Sequence, residues 1–480
     1  MMTAGKVFIN NKWEAPANGE TIPVVDPSTG EVFTQIARGT APDVDRAITA
    51  ARAAFEGPWG KMPAFERGRL LHKFSQKILD HHEELTQIEA RDTGKPLKQA
   101  RADITACARY FEYYSGACDK LHGTTIPFLD GFTVMTLREP FGVTGHVLPW
   151  NYPAQMFGRS LGGALAAGNA TVLKPAEDAC LSHLRLVELM AEVGFPPGAV
   201  NIVPGFGYEA GSALSTHTGI DHMSFTGSTA TGSLVAQAAA KNHIGCIMEL
   251  GGKSPQIVFA DANLDQALPV LANGIIQNAG QTCSAGSRLL VEQSRYDEVL
   301  EKLGARMNAL RVGGSQQDLD CGPIIRKSQM DRVRSFLKIA ADDGLKVAGK
   351  GNVSADAPKG GFFVEPHLIR DVPASHTLAQ DEIFGPVMVA MPFKDEAEAI
   401  RLANGTAYGL NCGVWTNDGG RQLRLAKAIR SGQVYINNFG AGGGIELPFG
   451  GVKHSGHGRE KGFEALYGFT SVKTVVMKHG

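Results

Sequence analysis

The sequence predicts an α/β protein with more than one domain, and three observations carry that expectation. Short apolar runs, Thr171-Val172-Leu173, Val200-Asn201-Ile202-Val203, Met223-Ser224-Phe225 and Cys246-Ile247-Met248, recur between about residues 145 and 260. A helical stretch around Leu184, Leu186, Leu189 and Met190 separates the first two. Strand, helix, strand in that order predicts a parallel sheet covered by helices. A second mixed segment opens at Ser254-Pro255 and repeats the alternation to about residue 450. Finally, Phe132–Leu137 and Phe469–Val476 alternate apolar with polar residues and read as two strands of a small protruding sheet. Edges of that kind seek a partner chain.

From the N-terminus, Val7-Phe8-Ile9 is strand-like. Pro42 opens a helix with Val44, Ala47, Ile48, Ala51 and Phe55 on one face. Leu70, Leu71, Phe74, Ile78 and Leu79 make a second stripe, and His81-His82-Glu83-Glu84 continues that helix as a solvated face. Adjacent histidines project in different directions and lack metal-ligand spacing. Ile257-Val258-Phe259 reads as a strand leading into a helix from Leu268 to Ile276. Pro269 falls in the first turn of that helix, where its missing N–H does little harm.

At 480 residues the chain exceeds one ordinary core and suits two or three domains. Its 43% hydrophobic and 20% charged residues are those of a globular protein in water. A net charge of −1 gives no electrostatic case for nucleic acid or an anionic membrane. Met1-Met2-Thr3-Ala4-Gly5-Lys6 runs straight into the first strand without an apolar signal core, and no apolar stretch approaches membrane-spanning length. A cytoplasmic location is therefore expected. The seven cysteines are odd in number, dispersed and never Cys-x-x-Cys, which suits free thiols and predicts no metal centre.

Each strand of the first repeat runs into a polar or glycine-rich turn: Lys174-Pro175-Ala176-Glu177, Pro204-Gly205-Phe206-Gly207, Thr226-Gly227-Ser228-Thr229 and Glu249-Leu250-Gly251-Gly252. Ligands of parallel sheets bind at these carboxyl ends. Gly205-Phe206-Gly207-Tyr208-Glu209-Ala210-Gly211 is one residue off the usual dinucleotide fingerprint. Gly227 to Gly232 follows a strand and opens a helix, whose free N–H groups suit a pyrophosphate. Glu177, beside Lys174 just past a strand, can hold both hydroxyls of an adenosine ribose and repel a 2′-phosphate, favouring NAD over NADP. Taken singly, an ordinary capped helix and a surface salt bridge fit these residues as well.

Cys283 lies in the small-residue turn Asn278-Ala279-Gly280-Gln281-Thr282-Cys283-Ser284-Ala285, downstream of Met248-Glu249-Leu250-Gly251-Gly252-Lys253. A thiol is a weak nucleophile until it is ionised. Glu249 is the candidate base, because burial brings a carboxylate nearer the operating pH. Asn151, in Pro149-Trp150-Asn151-Tyr152-Pro153, offers an amide to a developing oxyanion, a donor worth about 3 kcal/mol. As an alternative, Asn151 is simply a turn residue. Two other matches fail on context. Gly252-Lys253-Ser254 ends like a P-loop, but Ile247 stands where the leading glycine belongs. Gly158-Arg159-Ser160-Leu161-Gly162 fits a hydrolase nucleophile elbow, but Ala154-Gln155-Met156-Phe157 before it reads as a helix start and not a strand.

Together these runs resemble the NAD(P)-dependent aldehyde dehydrogenase superfamily. Glu382-Ile383-Phe384-Gly385-Pro386-Val387 and Pro448-Phe449-Gly450-Gly451 through Glu460 extend the resemblance, which spans nearly the whole chain from Phe8 to the terminal strand. It implies a Rossmann-like cofactor domain at 1–122 and 141–252 and an α/β catalytic domain at 253–452. Oligomerisation strands are implied at 123–140 and 465–480, in a homodimer or homotetramer. Cys283 is implied as nucleophile, Glu249 as activator of water, Asn151 and the Cys283 N–H as oxyanion donors, and Glu460 as a carboxylate that passes protons to solvent. NAD is implied at Trp150, Lys174, Glu177, Gly207, Phe225, Gly227, Ser228, Thr231, Leu250, Glu382 and Phe384. The glutamate of the last pair takes the nicotinamide ribose and the phenylalanine packs near the nicotinamide ring. The implied reaction oxidises an aldehyde to a carboxylic acid through a thiohemiacetal and a thioester.

The substrate side of the resemblance is less uniform. Arg159 stands where succinate-semialdehyde dehydrogenases carry a carboxylate-binding arginine and many other members carry tryptophan. The second arginine of those enzymes is replaced by Gln277. The loop Gly440–Glu446 is too glycine-rich to imply a shape. A polar or acidic aliphatic aldehyde is expected, since a guanidinium pairs a carboxylate through two bonds. Betaine-aldehyde oxidation is an alternative, with Tyr152 as part of an aromatic cage. A CoA-acylating enzyme and a catalytically silent relative, as the related lens crystallins are, complete the alternatives; retention of Glu249, and of Cys283 with Asn151, argues against each in turn.

Overall fold

The structure, a computed structural model, describes residues 5–440 and 444–479. The N-terminal reading at residues 1–4 and the centre of the glycine-rich loop, 441–443, lie outside the described residues. The predicted repeat forms an eight-stranded sheet. Its order across the sheet is Lys12–Glu14, Val7–Ile9, Val200–Ile202, Ala170–Pro175, Val143–Leu148, His222–Thr226, Gly245–Glu249 and Gly456–His457. The strands from Val200–Ile202 to Gly245–Glu249 are parallel to one another. Every residue of Ala170–Pro175 and His222–Thr226 is buried, because helices cover both faces and alternation disappears. Successive strands step outward from Val143–Leu148 in one direction, and His222–Thr226 begins the other half on its opposite side. That reversal opens a crevice at the strand ends. Trp150 and Asn151 follow one of the two strands flanking it, and Gly227 and Ser228 follow the other.

The second alternation makes a seven-stranded sheet, ordered Lys346–Lys350, His367–Arg370, Val387–Phe393, Arg288–Glu292, Pro255–Val258, Asn411–Trp415 and Gln433–Ile436. All neighbours are parallel except the first pair. The two alternating segments pair as expected: Thr470–Lys478 runs antiparallel to Phe132–Pro140, with Thr125–Ile126 on the far side. Leu137, Val472, Val476 and Met477 are exposed on this sheet.

The helix at Ala41–Glu56 buries Val44, Ala47, Ile48 and Ala51 as the periodicity requires, and the Asp43 carboxylate accepts from the Thr40 N–H at 2.9 Å to close its first turn. Two local expectations are corrected. The second helix stops at Asp80 and a new one starts at His82, so the histidine run is a junction between helices. His81 Nδ1 pairs with Glu84 Oε2 at 2.7 Å, and His82 Nε2 meets Thr105 Oγ1 at 3.0 Å. The helix containing Pro269 begins at Leu264, because Asn263 Oδ1 accepts from the Asp265 and Gln266 N–H groups. Pro269 is therefore past the first turn, and the Asp265 carbonyl loses its usual intrahelical donor. Among the described residues no helix is long and apolar enough to cross a membrane.

Candidate active site

Two cavities meet at Cys283. The first, about 690 Å³, lies in the crevice of the eight-stranded sheet and is bordered by Trp150, Asn151, Ser228, Glu249, Glu382 and Phe384. The second, about 770 Å³, is bordered by Tyr110, Tyr152, Arg159, Gln277, Phe449 and Lys461.

A tight turn delivers the cysteine. Asn278 and Ala279 adopt left-handed φ values of 50° and 54° just after the helix ending at Ile276. Gly280 follows at φ 72°, where a Cβ would fall 2.2 Å from the Gly385 carbonyl oxygen, so only glycine fits. The turn is tied down from outside: the Asn278 N–H donates to Gln99 Oε1 at 2.9 Å, and the Ile325 N–H to Gln281 Oε1 at 2.9 Å. Protein surrounds Cys283 closely enough that burial pushes its thiol up to about 12, with Glu249 and Glu382 adding to the rise. Arg159 and the Ser284 N–H oppose it. A thiol in that state is protonated at neutral pH and reacts only when its proton is removed.

Asn151 lies in the turn between the strand ending at Leu148 and the helix Pro153–Ala167. Its Nδ2 donates to the Gln281 carbonyl at 2.9 Å, which consumes one amide hydrogen and leaves the second for a ligand. Its own carbonyl accepts from Lys95 Nζ at 3.0 Å and from Asn278 Nδ2 at 2.7 Å. The Asn151 main chain and the nitrogen end of its side-chain amide are therefore held before any substrate arrives.

Glu249 ends a strand and is 2% exposed. Burial, reinforced by Glu460, holds its carboxyl well above the usual range, while Arg159 and Arg459 pull it down. Glu460 is fully buried, with Oε1 accepting from Ser224 Oγ at 2.9 Å. Arg159 lies between the two acids, Nη2 at 3.0 Å from Glu249 and Nε at 2.6 Å from Glu460. These are close ion pairs lacking the alignment of hydrogen bonds.

The cofactor residues named from sequence divide in two. Trp150, Gly227, Ser228, Leu250, Glu382 and Phe384 border the first cavity. Ser228 caps the helix Thr229–Lys241, accepting from the Thr231 N–H at 3.3 Å. Glu382 Oε1 accepts from the Gly252 N–H at 2.9 Å, and burial pushes its carboxyl up to about 7. Phe384, at φ 58°, meets Trp150 edge-to-face at 5.4 Å. Lys174, Glu177, Gly207, Phe225 and Thr231 stand outside that wall. Lys174 Nζ pairs with Glu177 Oε2 at 2.8 Å, and a Cβ at Gly211 would reach within 3.8 Å of Lys174 Cδ. The Phe225 ring packs under Gly227, and the Cβ direction of Gly207 meets open space.

On the substrate side, Tyr152 Oη meets Thr282 Oγ1 at 2.7 Å, and Thr282 Oγ1 also donates to the Gln277 carbonyl at 3.4 Å. Two aromatic faces already carry cations: Lys95 Nζ lies 4.4 Å from the Tyr152 ring centre and the Arg159 guanidinium 4.2 Å from that of Phe449. Sequence reasoning did not single out Tyr110, Phe439 or Lys461 in the second cavity, or Gln329, Arg332 and Tyr408 in the first. Gln329 and Arg332 hold the 382–384 turn by donating to the Phe384 and Glu382 carbonyls at 2.9 Å each. They come from the helix Lys327–Asp342, whose sequence carries no local mark of that task.

A thiol thus stands where a sheet-end crevice meets a second chamber, beside a held amide nitrogen and a buried carboxylate. The aldehyde dehydrogenase family pattern matches residues 13–475, and the chain belongs to that family of oxidoreductases acting on aldehydes. It is 42% identical over 98% of its length to the Arabidopsis thaliana mitochondrial aldehyde dehydrogenase family 2 member B4, covering 88% of that protein. A Burkholderia cenocepacia structure described as an aldehyde dehydrogenase is 65% identical, with a TM-score of 0.98, 99% of this chain and 100% of that one being covered. The aldehyde dehydrogenase of Bacillus cereus, in complex with NAD+, is 40% identical, with a TM-score of 0.96 and 99% and 97% coverage.

Proposed function

We propose that this enzyme uses NAD to oxidise a polar or acidic aliphatic aldehyde, with Cys283 as nucleophile. The first cavity suits the dinucleotide. Its volume is that of a cofactor site, and Thr229 and Ala230, in a helix turn whose N–H groups lack intrahelical partners, border it. Trp150, Ser228, Leu250, Glu382 and Phe384 are the residues to hold it, and the NAD complex of the Bacillus cereus relative supports that choice. Lys174 and Glu177 are proposed for the adenosine ribose, and Gly207, Phe225, Gly227 and Thr231 for the fold of the cradle around them. When bound, NAD supplies the hydride acceptor.

Cys283 Sγ gives up its proton to solvent and bonds to the aldehyde carbon, and the carbonyl oxygen takes the freed electron pair. The second Asn151 amide hydrogen and the Cys283 N–H stabilise that oxyanion, an effect of about 3 kcal/mol per donor. After oxidation the acyl group remains on Cys283 as a thioester. Glu249 takes a proton from water, which adds to the thioester carbon; the carboxylic acid leaves and the thiol is restored. Glu460, held beside Glu249 by the shared Arg159 guanidinium, is proposed to help pass the proton taken by Glu249 on to solvent.

The substrate class rests on charge around the second cavity. Its acids, Asp103 and Glu446, are each matched by a cation, Lys95 and Arg109. Lys98 and Lys461 also border the cavity, Lys461 interacting electrostatically with Glu446 and Glu249, and basic side chains outnumber acidic ones along its wall. A betaine-aldehyde cage is disfavoured, because Tyr152 and Phe449 already face Lys95 and Arg159. Domains at 1–122 with 141–252, at 253–452, and at 123–140 with 465–480 are proposed for cofactor, catalysis and subunit contact. A homodimer or homotetramer in the cytoplasm is proposed with them. NADH formation from succinate semialdehyde, betaine aldehyde and propanal tests the reading. The acidic aldehyde is expected to show the highest kcat/KM, by about tenfold or more for one desolvated charge pair. Cys283→Ala is expected to abolish turnover while NAD still binds. A preference for betaine aldehyde, or turnover without Cys283, would refute the proposal.

A further inference from the structure

Arg159 is 4% exposed and stands at the back of both reacting groups. Its helix, Pro153–Ala167, follows directly on the Asn151 turn, so guanidinium and amide share one rigid support. Nη2 lies 3.0 Å from Glu249 Oε2 and Nε 2.6 Å from Glu460 Oε2. Glu460 is itself fixed, because its other oxygen accepts from Ser224 Oγ at 2.9 Å, Ser224 meets Ser160 at 3.1 Å, and Ser160 meets His146 at 2.8 Å. The Phe449 ring closes the remaining face of the guanidinium at 4.2 Å. On its far side Glu249 abuts Gly450, where a Cβ would come within 2.7 Å of Oε1. One cation thus serves two buried carboxylates, and the base is pinned between it and a glycine backbone. The two glutamates occupy Nε and Nη2, which leaves Nη1 as the guanidinium nitrogen not engaged by an acid.

We infer that Arg159 is a positioning residue of the deacylation step: it tethers Glu249 to the fixed Glu460 and sets the orientation and ionisation from which Glu249 activates water. This inference rests on the reading of Glu249 as the water-activating base. The charged and titratable groups acting on Glu249 are Arg159 from its helix, Cys283 from its turn, and Arg459, Glu460 and Lys461 from the C-terminal loop, while Tyr110 from a second helix acts on Arg159 and Glu460. Removing Arg159 deletes the largest influence that favours the carboxylate, whereas neutralising Glu460 deletes one that opposes it.

The test follows kcat against pH with propanal, a neutral substrate that cannot use Arg159 as an anchor. The NADH burst and the steady-state rate are measured on the same samples. Glu249 works deprotonated, so a higher pKa moves the acid limb of kcat to higher pH. Arg159→Met is expected to move that limb up by at least about one pH unit, the usual effect of an opposite charge at this range. The burst is expected to change less than about twofold, and Arg159→Lys to return the limb most of the way. Glu460→Gln is expected to move the limb down, and it keeps the question answerable if the methionine variant fails to fold. Opposite shifts from two removals at one site cannot come from general loosening. An unmoved limb in both variants overturns the inference. So does a burst that falls in step with the steady-state rate, or an effect seen only as a raised KM for acidic aldehydes. Glu249→Gln separates the two levels: if it removes the limb while Arg159→Met leaves it unmoved, the tether alone fails. If Glu249→Gln leaves the steady-state rate intact, the base assignment fails, and the tether with it.

Discussion

Lys95→Met is expected to cost the protein both stability and activity. Lys95 is fully buried. Its ammonium lies 2.5 Å from Asp103 Oδ2 and 3.4 Å from Glu89 Oε1, and donates to the Asn151 carbonyl at 3.0 Å. Glu89 is fully enclosed; burial pushes its carboxyl up, and Lys95 is the main influence that lowers it. Methionine fills a similar volume but strands both acids. Breaking a buried ion pair from one side costs about 3–5 kcal/mol. That is about two to four orders of magnitude in the folding equilibrium. The size is not the worth of the pair itself, since replacing all its members by apolar groups is often neutral. Urea unfolding followed by tryptophan fluorescence reads the change, with Trp59 and Trp415 buried enough to report it. The triple variant Lys95→Met, Glu89→Gln, Asp103→Asn is expected to recover part of the loss, because neutral amides need no cation. The single variant should also lose at least about tenfold in kcat, since an oxyanion donor is worth about 3 kcal/mol only while held in place. A Lys95→Met midpoint equal to that of the parent protein, or a triple variant no more stable than the single one, would show that the cluster does not carry the load assigned to it.

Two further outcomes follow from burial. Lys461 borders the second cavity, and burial, with Arg159 adding to it, brings its ammonium down to about 7. KM for succinate semialdehyde is expected to rise as pH passes from 6 to 8 while KM for propanal stays flat, and Lys461→Met should abolish the difference; parallel pH profiles for the two substrates contradict this. His183 is fully buried and neutral, with its pKa lowered to about 3 by burial. Its unfolded form takes up a proton below about 6.5, so stability is fully present above that value and is lost as pH falls towards 3. His183→Phe should flatten that part of the stability–pH curve by a few kcal/mol, and an unchanged slope in urea titrations at pH 4 and 7 counts against the assignment.

Much of the fold is legible in the sequence because it is written in short-range periods. The runs at 171–173, 200–203, 223–225 and 246–248 are mostly apolar on both alternating faces, as strands covered on both sides require. The pairing of Phe132–Pro140 with Thr470–Lys478 was legible as well, since a period of two marks a strand. Where local chemistry competed with period, the reading slipped. Asn263 starts its helix earlier than the apolar stripe suggests, and the stripe before His81 hides a break between two helices. The first cavity owes Gln329 and Arg332 to a helix that the 382–384 turn needs for support, a requirement that arises only after both have folded.

Arg159 shows why the site was less legible than the fold. Position relative to Asn151 marks it as a guanidinium beside the substrate, and in one dimension a substrate carboxylate is its natural partner. Folding supplies two others first, one from the end of the strand Gly245–Glu249 and one from the C-terminal loop. A buried arginine with two carboxylates in reach is charge-matched through Nε and Nη2 before any ligand enters. The same residue that resembles a specificity determinant in sequence therefore has the geometry of a tether in space. Lys98 and Lys461 border the second cavity outside that bridge, and their charge adds to the surroundings a substrate meets.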